Sequence, residues 1–74
     1  MQDIDYGTVR LKLSEIMARQ NISINKLAFR AEMQRTQLKA YMHNEVQRVD
    51  LAILARLCYA LDCGLDDLIE YHRP

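Results

Sequence analysis

The sequence has few residues that interrupt helices, with two glycines and one proline among 74 residues, and it has no tryptophan. With half of the residues hydrophobic, this scarcity excludes a disordered or linker-rich chain and favours compact helices. The sequence also lacks a run of about 18 apolar residues, and it starts acidic and polar, so we expect neither a membrane span nor a secretory signal. These absences predict one small domain in the cytoplasm.

Cysteine is equally scarce, since Cys58 and Cys63 are the only two. In a cytoplasmic chain such a pair is more often reduced than bridged. A metal site would have to recruit His43 and His72 from distant segments, so we expect neither a metal nor a cofactor. We interpret both cysteines as small buried hydrophobic residues.

The net charge is zero, but basic and acidic residues are unevenly distributed along the chain. Residues 8–48 hold eight Lys and Arg against three Glu, a net charge of +5, and the two ends of the chain carry the opposite charge. A basic middle can present a positive face to phosphates while the remaining surface stays acidic. The alternative is an ordinary mixed surface in contact with water.

Apolar residues recur every three or four positions and predict amphipathic helices over residues 12–20, 24–31 and 34–43. Asn21 and Asn44 suit the left-handed residue that follows a helix, and Ser23 suits an N-cap. The pattern of residues 23–44 therefore predicts two short helices joined by a tight turn. We interpret this segment as a helix-turn-helix unit.

The third predicted helix carries a polar face without acids. Leu38, Tyr41 and Met42 form its inward stripe, which leaves polar side chains on the opposite side. No acid occurs between Met33 and Asn44, whereas helix faces in contact with water usually mix acids with bases. This face predicts entry into a DNA major groove, where Arg can fork onto guanine and Thr or Lys can reach base edges or phosphates. The polar side chains are Arg35, Thr36, Lys39 and His43.

The flanking segments complete a small core. We interpret residues 1–8 as a loose arm and residues 9–74 as the domain, with a short extended pattern from Val9 to Leu11. A fourth helix is predicted from an N-cap at Asp50, and a short fifth helix follows Gly64. The predicted core face of the fourth helix consists of Leu51, Leu54, Leu57, Cys58 and Leu61.

The chain resembles the lambda-repressor-like, Cro and Xre type of helix-turn-helix regulator, and within it the short stand-alone bacterial or phage proteins. The resemblance rests on ISINKLA at 22–28, QRTQL at 34–38 and LARLCYALDCGLDDLIEY at 54–71. It implies an all-α fold of five helices, with helix 3 in the major groove. It also implies that an extended Val9–Leu11 can lie beside the segment 70–72.

The same resemblance assigns functional positions. It places base-reading positions on Arg35, Thr36, Lys39 and Ala40. It places phosphate-facing positions on Ser23, Gln34, His43, Asn44 and Arg48.

Three positions depart from the family pattern. Ile24 stands where many members have a phosphate-bracing Gln, and Glu45 stands where relatives often have Lys. Glu32 stands where the turn usually holds a left-handed Gly, which costs on the order of 1 kcal/mol if the backbone is the same.

Two functions from different classes follow. The first is a sequence-specific transcriptional regulator, a repressor, that binds double-stranded DNA as a homodimer on a palindrome. The second is a protein-binding module, an antitoxin or antirepressor, that docks a partner through helices 4 and 5. An enzyme is not expected, because no nucleophile motif or Gly-rich phosphate loop occurs. The apolar candidates for self-association are Ile53, Tyr59, Ile69 and Tyr71; the alternative is that they complete the small core.

Overall fold

Five helices and two short strands make up the fold in a computed structural model that describes residues 4–74. Residues 1–3 of the predicted arm lie outside the described residues. The five helices are confirmed, but the strands form an antiparallel sheet, so the fold is mostly helical and not strictly all-α. The elements are β1 Thr8–Leu11, α1 Leu13–Gln20, α2 Ile24–Ala31, α3 Arg35–Met42, α4 Leu51–Leu61, α5 Leu65–Leu68 and β2 Ile69–His72.

Four helices are followed by left-handed residues that are not glycine, with φ between 51° and 57°. In α1, the amide of Asn21 donates to the carbonyl of Ala18 at 3.2 Å, and the amide of Ile22 donates to the carbonyl of Met17 at 3.1 Å. This pair of bonds defines the Schellman motif, and it satisfies carbonyls that the helix itself leaves free. The motif recurs after α2, α3 and α4, where the left-handed residues are Glu32, Asn44 and Asp62.

The sheet joins the start of the described chain to its end. Residues 8–11 pair antiparallel with residues 69–72, in the register Val9 to Tyr71, as the resemblance implied for the segment from Val9. Gly7 precedes β1 with a φ of 88°, and a Cβ on it would lie 2.3 Å from the carbonyl oxygen of His72. Close approach of the two backbones at this end of the sheet therefore requires glycine.

Charged side chains cluster on this sheet. Arg10 pairs with both Glu15 and Glu70, and the His72 ring hydrogen-bonds Glu70 with 2.6 Å between Nε2 and Oε2. His72 and then Arg10 lower the pKa of Glu70, and Arg10 lowers the pKa of Glu15. Lys12 Nζ lies 3.9 Å from Glu70 as well. Arg10 and Lys12, two cations of the basic middle, are thus neutralised by carboxylates of this chain.

The hydrophobic core is built mainly from leucines of all five helices. The predicted core face of α4 is partly wrong. Leu51 is 78% exposed and Cys58 is half-buried, whereas Ile53 is only 4% exposed and belongs to the core. Because α4 is apolar around most of its circumference, periodicity alone does not select the buried side. Leu54, Leu57 and Leu61 are buried as predicted.

Candidate nucleic-acid interface

Helix α3 is fixed to the rest of the fold by packing and by two hydrogen bonds. Its Leu38 and Tyr41 are buried. The Tyr41 hydroxyl accepts from the amide of Asp50 at 3.3 Å, and the Ser14 hydroxyl donates to the carbonyl of Met42 at 3.0 Å. The second bond satisfies a carbonyl that the end of an α-helix leaves free. The inward face of α3 is therefore held, and the orientation of its outward face is set by the core.

That outward face is polar and lacks acids. Thr36 and His43 are exposed and Ala40 is half-exposed, at the spacing that aligns residues along one side of a helix. Arg35 and Lys39 are exposed beside them. The ion pairs found between residues 4 and 74 all lie at the β-sheet, so no described carboxylate neutralises Arg35 or Lys39. The structure thus brings together all four predicted base-reading residues on one accessible surface.

Two of the predicted phosphate-facing residues begin the helices of the unit. The Ser23 hydroxyl accepts from the amide of Lys26 at 3.1 Å, which confirms it as the N-cap of α2. Its hydrogen remains available to donate to a second group. Gln34 has the extended backbone of an N-cap before α3, and its side chain makes no capping bond. Both residues lie where the helix dipole favours an anion.

Asn44 has a structural role that the sequence did not reveal. Its side-chain oxygen accepts from the amide of Leu11 at 2.6 Å, and its side-chain nitrogen donates to the carbonyl of Leu11 at 3.1 Å. The carboxamide therefore makes the two hydrogen bonds to Leu11, the last residue of β1, that the backbone of a neighbouring strand would otherwise make. These two hydrogen bonds hold the loop after α3 against the sheet and engage both the donor and the acceptor of the Asn44 side chain.

The three departures from the family pattern have distinct placements. Ile24 is half-buried against the core, so its apolar character is used in packing. Glu32 has φ 55° and ψ 48°, so the turn keeps the left-handed backbone that glycine usually supplies. The Arg56 guanidinium donates to the carbonyl of Glu32 at 3.2 Å. Glu45 is exposed on the loop beside α3.

Sequence reasoning missed one polar side chain on α3. Gln37 is exposed at the edge of the outward face. A Gln side chain can bond adenine through both its donor and its acceptor. The signal was present, because Gln37 lies three residues before Ala40 and so on the same side of the helix.

Two helices joined by a tight left-handed turn, with an outward polar face and unneutralised cations on the second, are the features of a helix-turn-helix DNA-binding domain. The family of Cro/C1-type HTH DNA-binding domains matches residues 12–73. The chain belongs to this family. The matched range contains the five helices and β2 but leaves β1 outside it.

One solved structure supports the fold independently. The chain superposes on a candidate DNA-binding protein from Bacteroides fragilis, known from a crystal structure, with a TM-score of 0.75 and 16% identity. The match covers 85% of this chain and 100% of that chain. At this identity the likeness shows the fold alone. No curated protein matches the sequence, and no helix between residues 4 and 74 is long and apolar enough to cross a membrane.

Proposed function

We propose that the protein is a sequence-specific transcriptional repressor that reads the DNA major groove with α3. The observation that carries the proposal is the exposed, acid-free face of α3, whose cations no described carboxylate neutralises. An unneutralised cation on a rigid helix can pair with a DNA phosphate and release the counterion condensed there, which is the main source of affinity for a polyanion.

The side chains of this face differ in what they can recognise. Arg35 can donate two bonds to the O6 and N7 atoms of guanine, and a good bidentate pair discriminates against other bases by about 1–3 kcal/mol. Thr36 and Ala40 offer methyl groups to the methyl of thymine. Lys39 reaches either a base edge or a phosphate.

Phosphate contacts would fix the register of α3 in the groove. Ser23 and Gln34 supply them at the starts of α2 and α3, and His43 and Arg48 supply them after α3. Asn44 is not among these residues, because its carboxamide hydrogen-bonds the backbone of Leu11.

A homodimer is the form in which we expect the protein to bind. One recognition helix offers few base contacts, and two copies can read half-sites about 34–36 Å apart. An apolar groove lined by Leu51, Leu54, Ala55, Cys58 and Leu65 runs between α4 and α5. It continues past Leu65 to Val9, Ile69 and Tyr71 on the sheet, where Asp66 and Glu70 also line it.

This groove is a suitable surface for self-association. Leu51 and Leu65 are 78% and 54% exposed, and adjacent exposed leucines are unfavourable in water. Of the residues expected to mediate contact between copies, Ile69 and Tyr71 line the groove. Ile53 is buried and unavailable, and Tyr59 lies on a different surface beside Arg30 and Arg56. A dimer bound across a promoter would repress by occupying it.

Selection of bound fragments from random DNA at two salt concentrations tests the DNA-binding proposal. We expect a palindromic motif, with affinity falling steeply as salt rises. The variant Arg35→Ala/Lys39→Ala should lose the motif and flatten the salt dependence. Its matched control is Arg19→Ala/Arg73→Ala, which removes the same charge outside α3 and should retain the motif. Equal affinity and equal salt slope in the two variants would contradict groove reading by α3.

Sedimentation of the Leu65→Glu variant tests the dimer. A carboxylate in the apolar groove should yield monomers, because a charge is costly to bury without a partner. Tyr59→Glu is the control, since it places the same charge on an exposed aromatic position outside the groove. Dissociation by Tyr59→Glu but not by Leu65→Glu would place the interface elsewhere.

A second candidate function is a protein-binding module, an antitoxin or antirepressor, that docks its partner in the same apolar groove. The exposure of Leu51 and Leu65 supports this alternative, as do Ile24 and Glu45 on the DNA-binding side. Recovery of no DNA motif, together with a monomeric wild type, would favour it over the repressor.

A further inference from the structure

Two cysteines lie at the C-terminal end of α4, where neither proposed function uses a thiol. Cys58 is in the last turn of the helix and Cys63 is two residues past its end. Both are free thiols and both are half-buried. This differs from the expectation of fully buried hydrophobic residues, because each side chain keeps some contact with solvent.

The Schellman motif after α4 places the two cysteines together. Asp62 is its left-handed residue, with its amide donating to the carbonyl of Tyr59 at 3.3 Å. The amide of Cys63 donates to the carbonyl of Cys58 at 3.0 Å. In this motif, the side chains of the two residues joined by the longer-range bond commonly pack against each other.

After α1 and α2, the same motif places both residues of the pair at the hydrophobic core. Met17 and Ile22 hold the equivalent positions after α1, and Ala28 and Met33 hold them after α2. All four side chains contribute to the hydrophobic core or pack against it. At the end of α4 the equivalent pair consists of two thiols.

The backbone bond also limits the distance between the two cysteine Cα atoms. One Cα is bonded to the donor nitrogen, and the other is two bonds from the acceptor oxygen. With 3.0 Å between that nitrogen and oxygen, the Cα atoms lie within about 7 Å, the outer limit for a disulfide. The backbone at the end of α4 therefore permits the Cα spacing of a disulfide.

Each thiol lines a different cleft, and only the cleft beside Cys58 belongs to the groove proposed for contact between copies, so a small oxidant can still reach Cys63 in a dimer. Cys58 lines the apolar groove together with Leu51 and Leu65. Cys63 lines a second cleft, between α1 and α5, with Arg19 and Asp67. Partial burial raises the pKa of the Cys63 thiol, and the neighbouring Cys58 raises it further. Oxidation should therefore accelerate as pH rises, because the thiolate is the reactive form.

We propose that Cys58 and Cys63 form a dithiol site that hydroperoxides oxidise to an intrachain disulfide. One thiolate attacks the hydroxyl oxygen of the hydroperoxide, so that a sulfur–oxygen bond forms, the oxygen–oxygen bond breaks and an alkoxide leaves, which becomes an alcohol by taking up the proton that the first thiol released. The second sulfur then displaces hydroxide, which leaves as water with the proton of that thiol. Two thiols lose two electrons in total, and the hydroperoxide is reduced to an alcohol and water.

Intact-mass measurement of the folded protein after treatment with tert-butyl hydroperoxide tests the site. We expect each monomer to lose two hydrogens and both free thiols, and to regain them with dithiothreitol. Persistence of both thiols, or formation of bridges only between chains, would overturn the proposal.

A variant with its two cysteines at other positions tests whether bridging requires the Schellman motif or only the presence of two thiols. The variant Ala60→Cys/Cys63→Ser keeps two cysteines close in sequence but places them two residues apart on one helix, where side chains do not face each other. It should form no intrachain bridge under the same conditions. Equally rapid bridging in this variant would refute the role of the motif. Because the readout is mass and thiol content, the result is independent of DNA binding.

Discussion

Replacing Glu32 with glycine should stabilise the protein. Glu32 has φ 55° and ψ 48°, a conformation that costs a residue with a Cβ roughly 1–2 kcal/mol. Glycine removes that cost but gains freedom in the unfolded chain, which offsets about 0.5–1 kcal/mol. The midpoints of these ranges leave a net gain of about 0.75 kcal/mol, or about 3–6 °C in Tm for a domain of this size.

The substitution should leave the contacts of this turn unchanged. The amide of Glu32 donates to Phe29, and its carbonyl accepts from Arg56 at 3.2 Å. Both contacts involve only the backbone of residue 32, so glycine keeps them. The Glu32 side chain is exposed and has no ion pair among the residues that the structure describes.

Thermal and urea unfolding of Glu32→Gly and Asn21→Gly would test the reasoning. Asn21 has nearly the same backbone, with φ 54° and ψ 44°, but Asn tolerates that conformation better than Glu does. We expect little gain from Asn21→Gly. An unchanged or lower midpoint for Glu32→Gly, or an equal gain in both variants, would refute strain at the turn.

Three further predictions concern the sheet. Gly7→Ala should lower Tm, because its Cβ would lie 2.3 Å from the carbonyl oxygen of His72 and its φ of 88° is strained for alanine; an unchanged Tm would contradict the close approach. Asn44→Gly keeps the left-handed backbone but removes two hydrogen bonds to the last residue of β1, so unfolding in urea should show a loss of about 1–3 kcal/mol. His72 and then Arg10 lower the pKa of Glu70. Their stabilisation is therefore complete above its ordinary pKa of about 4.3 and is lost as pH falls further. Tm measured between pH 6 and pH 3 should accordingly fall less steeply in Glu70→Gln than in the wild type.

Local signals in the sequence accounted for most of the helical fold. The N-caps Ser23 and Asp50 accept the backbone amides expected of them, and Asn21 and Asn44 take left-handed conformations after α1 and α3. Such caps depend on side chains within a few residues of the helix end, so a sequence reveals them directly. The polar face of α3 was likewise predictable, because helical spacing fixes which side chains lie opposite Leu38 and Tyr41.

Contacts between distant residues were less accessible. The buried side of α4 was partly misassigned at Leu51 and Ile53, because an almost wholly apolar helix can bury either side. The function predicted for Asn44 took no account of Leu11, which lies 33 residues away in the chain. Arg10 and Lys12 were counted with the basic middle, although Glu70 neutralises them from the far end of the sequence.

The ends of the helices and the outward side chains of α3 could be predicted from the sequence, since both depend on neighbours within one or two turns. The pairing of residues 8–11 with residues 69–72, the hydrogen bonds from Asn44 to β1 and the exposure of particular leucines could not. Strand pairing and burial depend on which distant surfaces meet, and these contacts form only when the whole chain is packed.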